Sequence, residues 1–314
     1  MNASYIIDQF NLNLEKPESA SFVSFSQWSN FAKCPLYWKL NYIDKLKVKE
    51  PSIHTVFGTC MHNIIQHYIQ VMYTSTIKKA DEIDFRSLLI EELKVNYAME
   101  VEKFGRHFSN KSELSEFFLD GMEILSYLRK KRKVYFSPKH EELIGTEIPL
   151  MICPDPKKPG VMLQGFLDLV FRDKNTGKIR IKDFKTSTKG WSKWDKADEV
   201  KVSQLLLYKM FFAKQYNVPV EKVEVEFIIL KRKIDEDSVY PQRRIQLFSP
   251  AQGSVSLNKT QRNFQHFLDA CFLSDGTFNP MFHFTATAGT NGKNCKFCEF
   301  KDRDDLCPKS ERVY

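Results

Sequence analysis

Three apolar segments separated by turn residues constrain the fold of this chain more than any other feature. They cover residues 144–152, 162–171 and 179–186, and Pro and Gly residues bound them, as expected for strands of one sheet. The polar link 172–178 between the last two segments contains Asn and Gly, which favours a tight turn. The sequence therefore predicts three strands, of which the last two form a hairpin.

Three polar side chains project from one face of this predicted hairpin. If its turn centres on residues 175–176, Asp168 faces Asp183. If the turn is shifted by one residue, Asp168 faces Lys185, and in both registers the three side chains share a face. Two carboxylates about 5 Å apart on neighbouring strands repel each other unless a cation lies between them. The pattern predicts a Mg²⁺ or Mn²⁺ site, with Lys185 placed to orient a water or meet a phosphate. The alternative is two strand-end aspartates and a surface lysine.

Helices on either side of this sheet supply further polar residues. Residues 58–73 have apolar side chains at helical spacing, and His62 borders that buried face. Gln204 and Tyr208 are four residues apart in a helix predicted over 198–216, so they lie on one helix face. Taken singly, His62 fits a core histidine, and the Gln204–Tyr208 pair identifies no activity.

The order of the predicted elements indicates an α/β chain that forms a single domain over residues 1–314. Residues 22–142 form a mostly helical N-terminal part, residues 143–231 the core sheet and its helix, and residues 232–314 a C-terminal elaboration. Other helices are predicted over 22–46, 81–135 and 255–273, and other strands over 222–231 and near 243–248.

Charge and hydropathy favour an intracellular protein with a polyanionic partner. Lys and Arg exceed Asp and Glu by 47 − 39 = 8, an excess that suits nucleic acid but also many merely soluble proteins. The chain has no apolar run of about 18 residues, and residues 1–10 do not combine a basic start with an apolar run. We therefore expect no membrane partner and a cytoplasmic location, in a cell or in the host of a virus that encodes the protein.

The seven cysteines are unevenly distributed. Cys295, Cys298 and Cys307 crowd into the last twenty residues, which in a reducing compartment indicates metal ligation rather than disulfides. The three other cysteines without such spacing are expected to be small core side chains, and they are Cys60, Cys153 and Cys271.

Together these motifs resemble the PD-(D/E)XK nuclease superfamily, specifically its RecB-like branch. The resemblance covers residues 24–308, and the matching segments, in the family's order, are 24–28, 34–35, 58–62, 165–168, 183–185, 204–208 and the closing cysteines. It implies a restriction-endonuclease-like fold, in which helices flank a central mixed sheet, with helical insertions and a cysteine-rich C-terminal tail.

The resemblance also implies roles for the hairpin residues and for the histidine. His62, Asp168 and Asp183 would bind the divalent metal, and the carbonyl of Phe184 would assist. Lys185 would help to activate the attacking water.

Three further residues receive roles in the same way. Gln204 and Tyr208 would steady the site and contact the substrate strand. Glu147, at the start of the first predicted strand, is a candidate outer carboxylate, although a glutamate at a strand edge needs no function.

Some members of this branch, including the AddB nuclease domain and small CRISPR-associated nucleases, hold a [4Fe–4S] cluster with one early and three late cysteines. By that resemblance Cys34 would join Cys295, Cys298 and Cys307. Eight residues separate Cys298 from Cys307, which is more than usual in the family. Zinc, or no metal at all, therefore stays an alternative.

The implied function is a Mg²⁺- or Mn²⁺-dependent exonuclease that processes DNA ends or single strands in replication, recombination or repair. The chain has no phosphate-binding loop of the G-x-x-x-x-G-K-[ST] type, so any unwinding would come from a helicase or recombination partner. The alternatives are a catalytically silent DNA-binding or recombination module and a zinc-stapled RNA-processing factor.

Overall fold

A mixed β-sheet runs through the centre of the molecule. The computed structural model describes residues 5–47, 50–235 and 237–314. In these residues the strands are β1 (Tyr5–Ile6), β2 (Ser21–Val23), β3 (Glu141–Ile152), β4 (Val161–Asp173), β5 (Ile179–Ser187), β6 (Val223–Lys231) and β7 (Ile245–Phe248). Their order across the sheet is β1-β3-β4-β5-β6-β7, and β2 also pairs with β4. The β2–β4 and β5–β6 pairs are parallel, whereas the other neighbours are antiparallel.

Helices cover both faces of the sheet. They are α1 (Phe25–Lys33), α2 (Pro35–Tyr42), α3 (Ile53–Thr74), α4 (Ile77–Asp81), α5 (Phe85–Phe104), α6 (Lys111–Lys131), α7 (Lys193–Ala197), α8 (Glu199–Gln215) and α9 (Ser254–Cys271). Apolar side chains of α1, α2, α8 and α9 form one core with the sheet, and those of α3 to α6 form a second core. On β5, Ile181 belongs to the first core and Phe184 to the second, because successive strand residues point to opposite faces.

One edge of β4 is only partly paired. β3 pairs along one edge of β4, while the other edge carries β2 at residues 161–163 and β5 at residues 169–172. Within the described residues, no strand pairs with residues 164–168 on that second edge. The sheet therefore opens at the position of Asp168.

The predicted α/β fold with a central mixed sheet flanked by helices is confirmed. Leu169 pairs with Lys182, so the hairpin has the first of the two predicted registers, the one in which Asp168 faces Asp183. Three predictions were wrong in detail. Helix α3 begins at Ile53, five residues before its predicted start. Strand β3 begins at Glu141, three residues earlier than predicted, and the short strands β1 and β2 were missed because segments of two or three residues carry no readable periodicity.

No helix in the described ranges is both long and apolar enough to cross a membrane. Residues 1–10 lack the basic start and apolar run of a signal peptide. The first four of these residues lie outside the described residues.

Candidate active site

The two aspartates lie where the β4–β5 hairpin separates. Backbone pairing between these strands ends at Leu169 and Lys182. Just beyond that point the backbone N–H of Phe184 donates to Oδ2 of Asp168, at 2.7 Å. A carboxylate thus satisfies a backbone donor that a continued ladder would have used. Asp168 and Asp183 are brought to the same place, as the predicted register required.

Asp183 is held by one side chain from its own strand and one from α8. Its Oδ2 lies 2.7 Å from Nζ of Lys185, and its Oδ1 accepts a hydrogen bond from Nε2 of Gln204 at 3.1 Å. The same Gln204 amide lies 3.2 Å from the Tyr208 hydroxyl. The predicted α8 pair, Gln204 and Tyr208, therefore lies beside Asp183 on β5.

Helix α3 places His62 against the aspartates. Nδ1 of His62 is 3.6 Å from Oδ2 of Asp168, and its ring centroid is 5.5 Å from that of Phe184. One turn earlier, a Cβ on Gly58 would lie 3.5 Å from Oγ1 of Thr186. That is an ordinary van der Waals distance, so α3 already packs against β5 at this turn and places His62 beside the strand. His62 borders the buried face, as predicted.

A buried glutamine completes this cluster, and the sequence analysis missed it. Gln66 has no exposed surface, and its Nε2 donates to Oε1 of Glu147 at 2.5 Å and to the carbonyl of Asp168 at 3.2 Å. Gln66 lies four residues after His62 in α3 and hence on the same helix face. A polar residue in that otherwise apolar stripe was the available signal.

Glu147 lies in the middle of β3 and not at the strand start, which corrects its predicted position. Its backbone is left-handed, with φ of 52°, a conformation that non-glycine residues adopt at a cost. The pairs Thr146–Leu169 and Ile148–Leu167 place Glu147 level with Asp168. Its carboxylate therefore lies at the site, held by Gln66.

Burial controls the protonation of the acidic residues. It raises the pKa of Asp168 to about 7 and that of Asp183 to about 6, because a carboxylate loses hydration away from water. Burial also lowers the pKa of His62, which keeps its imidazole neutral and able to ligate a metal. For Lys185, burial favours the neutral amine, but the charges of Asp183 and Asp168 outweigh it and raise the pKa.

This donor set fits a divalent cation. A cation between the two buried carboxylates would relieve the cost of ionising both, and carboxylate and carbonyl oxygens are ligands that Mg²⁺ accepts. Within the described ranges, no three His, Cys, Asp or Glu side chains are arranged as a ready metal-ligand group. Lys185 forms its ion pair with Oδ2 of Asp183, so a metal bound to that oxygen would compete with the ammonium group.

The four cysteines of the proposed cluster line one cavity of about 430 Å³. They are Cys34, Cys295, Cys298 and Cys307. Cys34 lies between α1 and α2, and its Sγ accepts hydrogen bonds from the backbone N–H groups of Tyr37 at 3.4 Å and Thr287 at 3.3 Å. Among the other cysteines, Cys60 and Cys271 are buried as predicted. The prediction for Cys153 was wrong, because it is only half-buried just after β3.

The C-terminal tail is anchored on the N-terminal helices around this cavity. The N–H of Leu36 donates to the carbonyl of Thr285 at 3.1 Å, and Nδ2 of Asn294 donates to the carbonyl of Lys33 at 2.7 Å. A small apolar cluster supports these contacts, and it consists of Leu40, Ala286, Phe300 and Cys307. Segments about 250 residues apart in sequence therefore meet at the cysteines.

The sequence pattern of the PD-(D/E)XK nuclease superfamily matches residues 23–307. The chain belongs to the PD-(D/E)XK nuclease superfamily. The match begins at the last residue of β2 and ends at Cys307, so it includes the hairpin, His62 and α8. No curated protein matches the chain. Members of the PD-(D/E)XK superfamily are generally nucleases that act on DNA and typically use divalent metals such as Mg²⁺.

Proposed function

We propose that the protein is a Mg²⁺- or Mn²⁺-dependent deoxyribonuclease of the RecB-like branch, and specifically an exonuclease that processes DNA ends or single strands. The observation that carries the proposal is the meeting of Asp168, Asp183 and Lys185 with His62 at the opening of the hairpin. These side chains come from three separate elements. If the two aspartates were solvated strand-end residues and Lys185 a surface lysine, the fold would need none of these contacts.

The metal would be held by His62, Asp168 and Asp183, with the carbonyl of Phe184. When bound, it would polarise the scissile phosphate and lower the pKa of an attacking water. Glu147, held by Gln66, is the candidate outer carboxylate. Its role would be to orient a water or a second cation at the same site.

Lys185 acts in this proposal as a cation. Because the carboxylates outweigh burial and keep it charged, its ammonium group would meet the developing negative charge on the phosphate. Burial raises the pKa of Tyr208, so its hydroxyl stays protonated and available to a phosphate oxygen. Gln204 fixes both Asp183 and Tyr208, which makes it a positioning residue.

The proposal includes a structural metal in the cysteine cavity. Cys34, Cys295, Cys298 and Cys307 line it together, and four thiolates are the usual ligands of a [4Fe–4S] cluster, with zinc as the alternative. Burial raises the pKa of the Cys34 thiol, and the backbone donors of Tyr37 and Thr287 offset part of that shift. We propose that this cluster staples the tail to α1 and α2 within a single nuclease domain.

Digestion of end-labelled DNA tests the nuclease assignment. Asp183→Asn and Lys185→Ala should each remove Mg²⁺-dependent cleavage while retaining the fold, because both side chains lie at the site. Lys174→Ala, which changes an exposed lysine in the hairpin turn, is the matched control and should cleave at the wild-type rate. Equal cleavage by wild type and Asp183→Asn would rule out this active site.

Linear and covalently closed single strands separate exonuclease from endonuclease action. An exonuclease degrades the linear strand and spares the circle. The second candidate function is a silent DNA-binding or recombination module, and it predicts DNA binding without Mg²⁺-dependent cleavage by the wild-type protein. A helicase or recombination partner belongs to the same proposal, because the sequence has no phosphate-binding loop of its own.

A further inference from the structure

One tryptophan of this chain is unusually exposed. Trp28 and Trp38 are 2% and 0% exposed, and Trp191 is half-buried, but Trp194 is 74% exposed. Burying an indole stabilises a protein more than burying most other side chains. A single exposed apolar side chain is common on protein surfaces, so the exposure of Trp194 gains meaning only from the charged groups around it.

The segment that carries Trp194 is firmly attached. Three residues earlier, the ring of Trp191 packs 4.7 Å from that of Phe227. The backbone of Trp191 is held on both sides by Gln246, whose Oε1 accepts from its N–H at 2.8 Å and whose Nε2 donates to its carbonyl at 3.1 Å. Ser192 and Asp195 form a capping box at the start of α7. Trp194 is therefore exposed on a segment that is held in place.

The segment that carries Trp194 is basic and joins two elements of the active site. Lys185 is paired with Asp183, and the following residues 186–196 contain three lysines and one aspartate, a net charge of 3 − 1 = +2. The aspartate, Asp195, is ion-paired with Lys201, so it does not neutralise the exposed lysines. The segment follows Lys185 on β5 and ends just before α8, which carries Gln204.

A cation stands directly over the exposed indole. Nζ of Lys193 is 4.8 Å from the centroid of the Trp194 ring, so one face of the ring is paired with a charge. Lys189 is also exposed, and Lys196 is half-buried nearby in sequence. An aromatic face beside several lysines is the combination that binds single-stranded nucleic acid, with bases stacked on the ring and phosphates on the cations.

We infer that Trp194, with Lys189, Lys193 and Lys196, forms a binding platform for single-stranded DNA beside the active site. A base would stack on the indole, and adjacent phosphates would contact the lysines. Paired bases within an intact duplex do not offer their faces, so the platform would select unpaired strands. The inference rests on the proposed nuclease function, because the strand it holds is the one that enters or leaves the site.

Binding measurements without cleavage test the platform directly. In an Asp183→Asn background, which leaves the DNA intact, the affinities for fluorescein-labelled (dT)20 and for a blunt hairpin duplex are measured by fluorescence anisotropy. Trp194→Ala should weaken (dT)20 binding about 10-fold, as expected for loss of one stacked base, and should change duplex binding less than about 3-fold. Trp194→Phe should retain most of the affinity. The control Tyr314→Ala removes an aromatic ring that is also 74% exposed and should have no effect.

Tryptophan fluorescence gives a second readout that does not depend on the alanine variant folding well. Unlabelled (dT)20 should quench the emission of the Asp183→Asn protein, and Trp194→Phe should abolish most of that quenching. Unchanged (dT)20 affinity in Trp194→Ala, or an equal loss for the duplex, would overturn the platform. Failure of the wild type to cleave DNA would instead overturn the nuclease proposal, while Trp194-dependent binding of (dT)20 would still stand.

Discussion

Replacing Asp168 with asparagine tests the electrostatics of the site in the metal-free protein. Asp168 is 9% exposed, and burial raises the pKa of its carboxyl from 3.8 to about 7. Asparagine keeps the size of the side chain and an oxygen that can accept the N–H of Phe184, but it carries no charge. We expect Asp168→Asn to abolish cleavage and to stabilise the metal-free protein above neutral pH.

The size of this gain follows from the pKa of Asp168. Each factor of ten in proton affinity corresponds to about 1.4 kcal/mol, so ionising this buried carboxyl costs at most about 4 kcal/mol of folding free energy. This limit already includes the attraction of Lys185, and the carboxyl keeps 12% of its side chain exposed, so screening by water reduces the gain. We expect a net increase of about 2 kcal/mol in the free energy of unfolding, or about 3 °C in Tm for a chain of 314 residues.

The sign of the pH dependence is fixed by the direction of the shift. Between about pH 4 and pH 7 the folded protein keeps Asp168 protonated while the unfolded chain is ionised. The free energy of unfolding therefore falls as the pH rises through this window, and the loss is complete above it. Added Mg²⁺ should restore stability at pH 8, because the metal binds the ionised form.

Urea unfolding at pH 5 and pH 8, in buffer free of divalent metal, measures this effect. Asp168→Asn should be more stable than wild type at pH 8 and should gain less at pH 5. Asp304→Asn changes an exposed aspartate and should match wild type at both values. A loss of stability at pH 8 in Asp168→Asn would refute the reasoning, because it would mean that the charged form is favoured by its surroundings.

The other predictions concern residues around the two sites. His62→Ala should lose most Mg²⁺-dependent cleavage and regain part of it with Mn²⁺, which tolerates imperfect ligand sets better; wild-type initial rates in Mg²⁺ would return His62 to a core role. Gln66→Leu should lower the free energy of unfolding by about 1–3 kcal/mol, because it leaves Glu147 without its buried donor; unchanged urea unfolding would contradict this. Cys34→Ser should reduce the iron content found by elemental analysis and lower the stability, whereas Cys153→Ser should do neither; a colourless, zinc-containing protein whose metal content is unaffected by Cys34→Ser would remove Cys34 from the site.

The hairpin was predictable because its information is local. The turn residues fix the register within one residue, and strand alternation then decides which side chains share a face. Leu169 and Lys182 pair in one of the two predicted registers. Periodicity also predicted α8 and most of α3, although α3 begins at Ile53 and its buried Gln66 was missed.

Glu147 and Gln66 show where such reasoning stops. They are 81 residues apart in sequence, and Glu147 has a left-handed backbone. Neither propensity nor spacing signals that conformation in a non-glycine residue within a strand. The meeting of Cys34 with the tail is similarly non-local, and only the resemblance to iron–sulfur nucleases suggested it.

Helix α8 connects the two proposed metal sites physically. Asp198, which caps its N-terminus through the N–H groups of Val200 and Lys201, lines the cysteine cavity together with Val200. Less than two turns further along, Gln204 donates to Asp183. A helix is stiff over this length, so a shift of its N-terminus after loss of the cluster would also move the amide that positions Asp183 and Tyr208. Cleavage should therefore fall in Cys34→Ser even though no cysteine touches the carboxylates, and a rate equal to that of Cys153→Ser would show that α8 is held in place without the cluster.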